Sequence, residues 1–382
     1  MRRIIASACV LLALLIPATA HAGGSTTHWV DGDGKAAPGD CDAGDAAFST
    51  IQGAVDASGP GDTVMVCPGR YEPVTIKGAI RDDLTLQSVV PWRATIAVET
   101  ERRARRMFAN PIGVAVLGAS DVGIHDFRVL AVRGSGCYAE ALIAYRQASG
   151  VVEGNKLIAR AMSGRSCAEA RAGVMSVPRE ADDELVVHGN LVRDFGGAGI
   201  EMIDFAEVGL GGLDAFGNTI QRTQPARIRG IGIGLYAFGG AWAHIRDNTV
   251  IVADDARLPQ GITVDTSVAQ VRRNVVSGAN LAMFGSAAHG IWAGNTLVGG
   301  GRGMLTAFSE GLEIARNRVT GMAREGIRVG EGSEDLRIHD NDFRGNGGTD
   351  CIDDTSGSGT AGTDNLWWDN QGDESDPPGI CW

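Results

Sequence analysis

One short pattern of apolar and polar positions occurs eight times between residues 150 and 345. It reads apolar, any, apolar, any, a small or charged residue, Asn, any, apolar, and its Asn positions are Asn155, Asn190, Asn218, Asn248, Asn274, Asn295, Asn317 and Asn341. Each copy places an apolar residue three positions before the Asn and another two positions after it. A pattern that returns every 21 to 35 residues is typical of a solenoid, in which stacked copies bury a shared core.

A second pattern follows most copies of the first and predicts a second strand per repeat. It is a Gly followed by alternating apolar residues, with Ile200, Ile233, Ile262, Met304 and Ile327 as the expected inward positions. Because side chains alternate along a strand, the residues between them should face solvent. This places Glu201 and Arg328 on one outward column, Tyr236 and Asp265 on the next, and Asp204 at the edge.

The first part of the chain after residue 46 predicts a cap for one end of the stack. Ser49 is the expected N-cap residue and Gln52, three residues later, would complete a capping box before a short amphipathic helix. Gly59 and Pro60 then end the helix, and Thr63 begins a β-branched strand. A solenoid needs such an element because its open end exposes apolar core and unpaired strand edges.

Residues 48–71 and the Asn patterns that follow resemble the right-handed parallel β-helix proteins of the pectin-lyase-like superfamily. The resemblance implies an all-β fold: a single-stranded right-handed parallel β-helix (solenoid) with three sheets and an N-terminal capping helix. It also implies an Asn ladder at one turn. We therefore expect a signal peptide at residues 1–22, an N-terminal segment and capping helix at 23–62, the β-helix at 63–354 and a C-terminal capping tail at 355–382.

The superfamily includes polysaccharide lyases, glycoside hydrolases, epimerases and non-catalytic binding proteins, so the resemblance does not select an activity. The sequence has only fragments of the polygalacturonase motifs, in the wrong order, at Ala288-His289-Gly290 and Asp353-Asp354. The signatures of alginate epimerases and pectate lyases are absent. No catalytic residue is therefore transferred from the family.

The N-terminus predicts export. Arg2 and Arg3 precede an apolar run and a small-residue cleavage site at Ala20-His21-Ala22, which is typical of a secretory signal peptide. No later stretch is apolar for long enough to span a membrane. The chain has a formal charge of −12, which becomes −14 when the two arginines are removed, and this argues against nucleic-acid binding. We expect a secreted or periplasmic protein, whose oligomeric state the sequence leaves open.

Six cysteines remain after cleavage, and an even number in an exported chain favours disulfides over free thiols or a zinc site. Residues about one coil apart in a solenoid return to nearly the same place on the next coil. Of 15 possible connectivities, this favours the pairs Cys41 with Cys67, Cys137 with Cys167 and Cys351 with Cys381.

The outward residues are the candidates for chemistry. Asp204 and Asp265 are expected two coils apart, roughly 10 Å along the axis, which is near the carboxylate spacing of inverting glycosidases. With Glu201 they are the candidate catalytic residues, and Tyr236 and Arg328 are the candidate substrate-binding residues.

The same carboxylates could instead hold Ca²⁺ and neutralise a uronate in a polysaccharide lyase. The predicted function is engagement of extracellular or cell-envelope carbohydrate, as a lyase or hydrolase. The alternative is a non-catalytic structural or interaction protein.

A further set of polar residues should lie on another face. His125, His188 and His339 stand two residues before the ladder position, so they should share an outward column with Glu153. We expect these residues to form an ordinary polar surface. The alternative is that they bind a metal ion or transfer protons.

Overall fold

The computed structural model describes residues 24–102, 109–161, 168–204, 211–223, 232–240, 242–252 and 259–382. Nearly all of its regular structure is strand, arranged in three parallel sheets that the chain visits in turn. We name them sheets A, B and C in the order in which each coil visits them. The predicted signal peptide at residues 1–22 and the predicted disulfide partner Cys167 lie outside the described residues.

Each sheet stacks strands from successive coils, and fewer coils contribute to sheet B than to sheet A. Sheet A contains Thr27–Val30, Thr63–Val66, Thr85–Ser88, Val122–His125, Gly150–Glu153, Glu184–His188, Gly212–Phe216, Trp242–Arg246, Val268–Arg272, His289–Ala293, Glu313–Ala315, Arg337–His339 and Leu366–Trp368. Sheet B contains Gly69–Tyr71, Ala94–Glu99, Arg128–Val132, Lys156–Ile158, Leu191–Arg193, Thr219–Arg222, Thr249–Val252, Val275–Ser277, Thr296–Gly300 and Arg318–Met322. Sheet C contains Val74–Lys77, Ile112–Leu117, Tyr138–Arg146, Ala168–Val177, Ala198–Ile203, Ile233–Phe238, Gln260–Asp265, Leu281–Ser286, Arg302–Ala307, Ile327–Val329, Cys351–Asp353 and Ser375–Asp376, with Arg160–Ala161 paired antiparallel to Ala168–Val177.

Strands of successive coils pair in parallel along each sheet, and their inward side chains form one continuous core. This confirms the predicted right-handed parallel β-helix. The sheets extend beyond the expected limits at 63 and 354, because Thr27–Val30 joins sheet A before the cap helix and Leu366–Trp368 joins it from the tail. No helix among the described residues is long and apolar enough to span a membrane.

The Asn side chains form the predicted ladder at the turn between sheets A and B. All eight are almost fully buried. At Asn274, the backbone N–H donates to Oδ1 of Asn295 at 3.0 Å, and Nδ2 donates to the carbonyl of Ile245 at 2.8 Å. The ladder continues to Asn370 in the tail, which donates to the carbonyl of Ile338 at 2.8 Å. Every coil joined in this way shares one turn geometry, which fixes the register of the stack.

The left-handed backbone needed at this turn belongs to the residue before each Asn. Asp247 has φ of 57° and Arg273 has φ of 53°, whereas Gly154, Gly189 and Gly217 occupy the same position in other coils. A short polar side chain or Gly tolerates this conformation best. The Gly, Asp or Arg of the repeated pattern is therefore explained by the turn, and the Asn is explained by its hydrogen bonds.

The cap helix is Ile51–Ala57, and its N-cap is Thr50 rather than the expected Ser49. Thr50 Oγ1 accepts a hydrogen bond from the Gly53 backbone N–H at 3.1 Å. Gln52 does not return to the N-cap. The Gln52 side chain instead binds the first strand of sheet C, where it donates to the Thr75 carbonyl and accepts from the Thr75 N–H at 2.8 Å. The predicted capping box is therefore wrong, and Gln52 ties the cap to the first coil.

Two of the predicted disulfides are present. Cys41 and Cys67 have Cα atoms 5.7 Å apart, and those of Cys351 and Cys381 are 6.3 Å apart. The first joins the N-terminal segment to the start of the first full coil, just after Thr63–Val66, and the second holds the tail against the last strands of sheet C. Cys137 is also disulfide-bonded.

We expect replacement of Cys351 and Cys381 by Ala to lower the free energy of unfolding by about 3.5 kcal/mol, the chain-entropy value for a loop of this length. The end of the stack would then open more readily and expose strand edges. Denaturant unfolding and light scattering of the double variant would measure both effects. Unchanged stability would contradict the role of this disulfide as an end staple.

Candidate functional site

The outward face of sheet C brings the candidate residues together in a register that differs from the sequence expectation. Ile200 pairs with Leu235, not with Ile233, and Glu201 pairs with Tyr236. The prediction that Ile233 faces inward is wrong, because Leu235 is the buried residue of that strand. Tyr236 therefore stands directly beside Glu201 in one column and not in the neighbouring one. From Met175 to Arg328 the column contains, in coil order, Met175, Glu201, Tyr236, Thr263, Phe284, Leu305 and Arg328.

The second outward column runs beside the first and contains Ile203, Phe238, Asp265 and Ser286. Asp265 lies diagonally from Tyr236, one coil further along the stack. Its negative charge is one cause of the raised pKa of the Tyr236 phenol. Asp265 and Tyr236 thus belong to one local group on this face.

The glycines of the second sequence pattern are needed for close packing behind this face. A Cβ atom on Gly199 would lie 2.6 Å from the Ile220 side chain of sheet B, and one on Gly261 would lie 2.4 Å from the Val276 side chain. These glycines face the interior, as do the following residues Ile200 and Ile262.

Burial changes sharply along the column. Ala144 and Met175 are fully buried although they face away from the main core, and Glu201 is only 2% exposed. Tyr236 and Asp265, on the next two coils, are half-buried. Glu201 therefore ends a fully covered run and has a half-buried neighbour in Tyr236, although Thr263, further along the column, is again only 3% exposed.

Glu201 is held in a buried ionic network that the sequence analysis missed. Arg171, on the preceding coil, donates from Nη2 to Oε1 of Glu201, and its Nε lies 3.4 Å from Oε1 of Glu140. Glu140 is only 3% exposed, and its Oε2 accepts from Nδ2 of Asn110 at 2.7 Å. Arg171 lies over Gly197, where a Cβ would be 2.9 Å from its Cγ. One guanidinium is thus shared between two buried carboxyl groups.

Burial gives two of these groups unusual proton affinities. The pKa of Glu201 is raised to about 7, chiefly by burial, with Arg171 lowering it and Glu140 raising it. The pKa of Tyr236 is raised to about 12 by burial and by the charges of Asp265 and Glu201. A carboxyl group of this kind can donate or accept a proton near neutral pH. The phenol remains protonated there and can act as a hydrogen-bond donor.

Asp204 and Arg328 are not part of this group. Asp204 is fully buried and directly follows the strand Ala198–Ile203, outside the two outward columns. Arg328 lies five coils from Glu201, about 24 Å along the axis. Its Nε binds Asp354 at 2.6 Å and its Nη1 lies 3.6 Å from Glu325. Their catalytic and substrate-binding roles remain predictions that this arrangement does not favour.

The histidine column on sheet A has the predicted register. Glu153 pairs with His125 on one side and with His188 on the other. Its Oε2 lies 3.2 Å from Nδ1 of His125 and 3.8 Å from Nε2 of His188. His188 stacks on Phe216 with ring centroids 4.7 Å apart. Within the part of the chain that the structure describes, no three His, Cys, Asp or Glu side chains are grouped to hold a metal ion, so Ca²⁺ gains no support.

Comparison with known proteins supports the fold. The profile of the family described as "Periplasmic copper-binding protein (NosD)" matches residues 212–372, less than half of the chain. That description agrees with the predicted export. No curated protein matches the chain closely enough to count as a relative.

Two solved structures of the periplasmic alginate epimerase AlgG, a double mutant and a single mutant, each have a TM-score of 0.51 and 13% identity. Each match covers 82% of this chain and 77% of that chain. The GH87 α-1,3-glucanase of Streptomyces thermodiastaticus, at 14% identity, covers 92% of this chain and 70% of its own with a TM-score of 0.42. At these identities the likeness concerns the fold alone. With its three parallel sheets and its Asn ladder, the chain has the right-handed parallel β-helix fold that the sequence resemblance implies.

Proposed function

We propose that this exported protein engages extracellular or cell-envelope carbohydrate on the outward face of sheet C and cleaves it there by hydrolysis. The observation that carries the proposal is the carboxyl group of Glu201. It is buried, its pKa is raised to about 7, and it lies beside the half-buried Tyr236. A carboxylic acid that keeps its proton at neutral pH is what glycoside hydrolysis requires of its acid.

The second carboxyl group of the proposed reaction is Asp265. Glu201 and Asp265 are two coils apart, about 10 Å along the axis, and the charge of each raises the pKa of Tyr236. The phenol is therefore within electrostatic reach of both. In this arrangement Glu201 protonates the leaving oxygen, Asp265 activates a water molecule from the other side of the sugar, and Tyr236 contacts the sugar ring. This division of roles is the one that inverting glycosidases use.

Hydrolysis suits the described residues better than uronate elimination. A lyase needs a base and a cation that neutralises the uronate carboxylate. Tyr236 is a weak candidate for the base because its pKa is raised to about 12. Arg171 is already shared between Glu140 and Glu201, and Arg328 binds Asp354 and Glu325. Among the described residues of this face, these guanidinium groups already have carboxylate partners.

The direct test is a screen of the purified protein against neutral glycans and polyuronates, with added calcium or copper and with a chelator. New reducing ends would report hydrolysis, and ultraviolet absorbance of unsaturated uronate would report elimination. We expect reducing ends without unsaturated product. Absence of both cleavage and binding across the panel would overturn the proposal. Binding without cleavage would favour the alternative, a non-catalytic interaction protein in which Arg171 only neutralises buried charge.

We expect the activity to fall as the pH rises through about 7. Glu201 must be protonated to act as the acid, and its pKa is about 7, so the active form is present below that pH and lost above it. A profile of kcat/KM against pH on a cleaved glycan would show this limb. A rate that instead rises through pH 7 would mean that Glu201 acts as a base.

A further inference from the structure

The network behind Glu201 contains two buried carboxyl groups and one guanidinium. Glu201 and Glu140 are 2% and 3% exposed, and both contact Arg171. If both carboxyl groups were ionised, the trio would carry a net negative charge away from water. Burial strongly disfavours such an uncompensated charge, so the trio should bind one proton near neutral pH.

Hydrogen bonds decide which carboxyl group holds that proton. Oε2 of Glu140 accepts from Nδ2 of Asn110 at 2.7 Å and from the hydroxyl of Tyr138 at 3.4 Å. Donors of this kind stabilise the ionised form of a carboxyl group. Glu201 receives its hydrogen bond from Arg171 and lies against Tyr236. The bond from Arg171 favours the ionised form of Glu201 as well, but Glu140 has the contact with Arg171 in addition to its two other donors. With more groups to hold a negative charge, Glu140 is the better site for that charge and Glu201 is the better site for the proton.

We infer that Glu140 is a positioning residue that keeps the proton on Glu201, by competing with it for the charge of Arg171. The use of that proton in glycan cleavage rests on the proposed function, but the placement of the proton does not. Glu140 would act through Arg171 without touching the substrate.

The other ionisable groups that face the pair are Glu169, Tyr236 and Asp265. Glu169 is almost fully buried on the Arg171 strand, with its carboxyl group close to Gly196. Tyr236 and Asp265 face Glu201 from the following coils. Burial, and after it the charge of Glu140, raise the pKa of Glu201 and so disfavour its ionisation. Among the described residues, Arg171 is the cation that contacts both members of the pair.

Carbon-13 NMR of protein labelled at the glutamate side-chain carboxyl carbons would test this placement without any substrate. The Glu201→Gln variant identifies the Glu201 signal, whose midpoint we expect near 7. The Glu140→Gln variant should lower that midpoint by about one pH unit or more, a tenfold loss of proton affinity, because Arg171 can then pair fully with Glu201. The Arg171→Met variant should raise it.

The charge-retaining Glu140→Asp variant and the distant Glu313→Gln variant on sheet A are controls. Glu140→Asp should keep most of the elevated midpoint, and Glu313→Gln should leave it unchanged. If Arg171→Met does not fold, the midpoints of the Glu201 signal in Glu140→Gln and Glu140→Asp still test the inference. An unchanged or raised midpoint in Glu140→Gln would overturn the inference. A lowered midpoint together with no glycan cleavage would uphold the inference and reject the proposed function.

Discussion

The Glu201→Gln variant should retain its fold and lose about 100-fold to 10,000-fold in kcat/KM, the usual contribution of general acid catalysis. Gln has nearly the shape of the protonated acid and can accept the hydrogen bond from Arg171, so the buried network should survive. It cannot donate a proton to the leaving oxygen. The measurement is the initial rate of reducing-end release from a glycan that the unaltered protein cleaves.

Two variants separate this effect from a general disturbance. Asp265→Asn removes the proposed base and should also reduce the rate strongly, since Asp265 lies on the same face. Glu313→Gln changes an outward carboxylate on sheet A and should leave the rate within twofold. A Glu201→Gln variant with normal activity would show that the reaction does not use this carboxyl group, whatever glycan is cleaved.

The sequence predicted the solenoid and its ladder because one local turn is repeated in every coil. Each Asn must satisfy the same backbone groups, so the same residue returns at the same point of the pattern. The structure confirms all eight positions and adds Asn370, whose surroundings match the pattern only in part. Trp367 and Asp369 match the pattern before Asn370, but the ladder at this ninth position was not recognised because Gly372 stands where the second apolar residue is expected.

The register of the candidate face was harder to predict. The segment Gly232-Ile233-Gly234-Leu235 contains two glycines, each followed by an apolar residue, and the sequence alone does not say which pair faces inward. Packing decides which glycine faces inward, because a Cβ on Gly234 would lie 2.5 Å from the Val250 side chain of sheet B. Gly234 is therefore the interior glycine, and Tyr236 moves beside Glu201.

The ionic network was not predicted because its members are far apart in the sequence. Glu140, Arg171 and Glu201 lie on three successive coils, and no local pattern links them. A charged residue among small and apolar ones, as in Ala168–Val177, was the available signal. Recognising the ionic network from that signal would have required the strand register of sheet C before residue 199, and the Gly pattern that predicts the register begins only there.

The Asn274→Leu variant should lose about 2 to 6 kcal/mol of unfolding free energy, which is the range expected when two buried polar groups lose their partners. Oδ1 of Asn274 accepts from the backbone N–H of Asn248 at 3.0 Å, and its Nδ2 donates to the carbonyl of Ile245 at 2.8 Å. Leu can replace neither interaction, and the site is fully buried, so water cannot replace them either. Denaturant unfolding would measure the loss.

Two further substitutions show whether the loss comes from the ladder. Gln270→Leu makes a similar change at an exposed position of the same coil and should alter stability by less than about 0.5 kcal/mol. Asn274→Asp keeps the acceptor for Asn248 but loses the donor to Ile245, and its carboxylate would face Oδ1 of Asn295, which is 3.0 Å from Nδ2 in the unaltered chain. The Asn274→Asp variant should therefore be less stable than the unaltered chain, although its carboxylate still accepts the hydrogen bond from the Asn248 N–H. Equal stability of Asn274→Leu and Gln270→Leu would mean that the ladder follows the fold without stabilising it, and that burial of the flanking apolar residues alone holds successive coils in register.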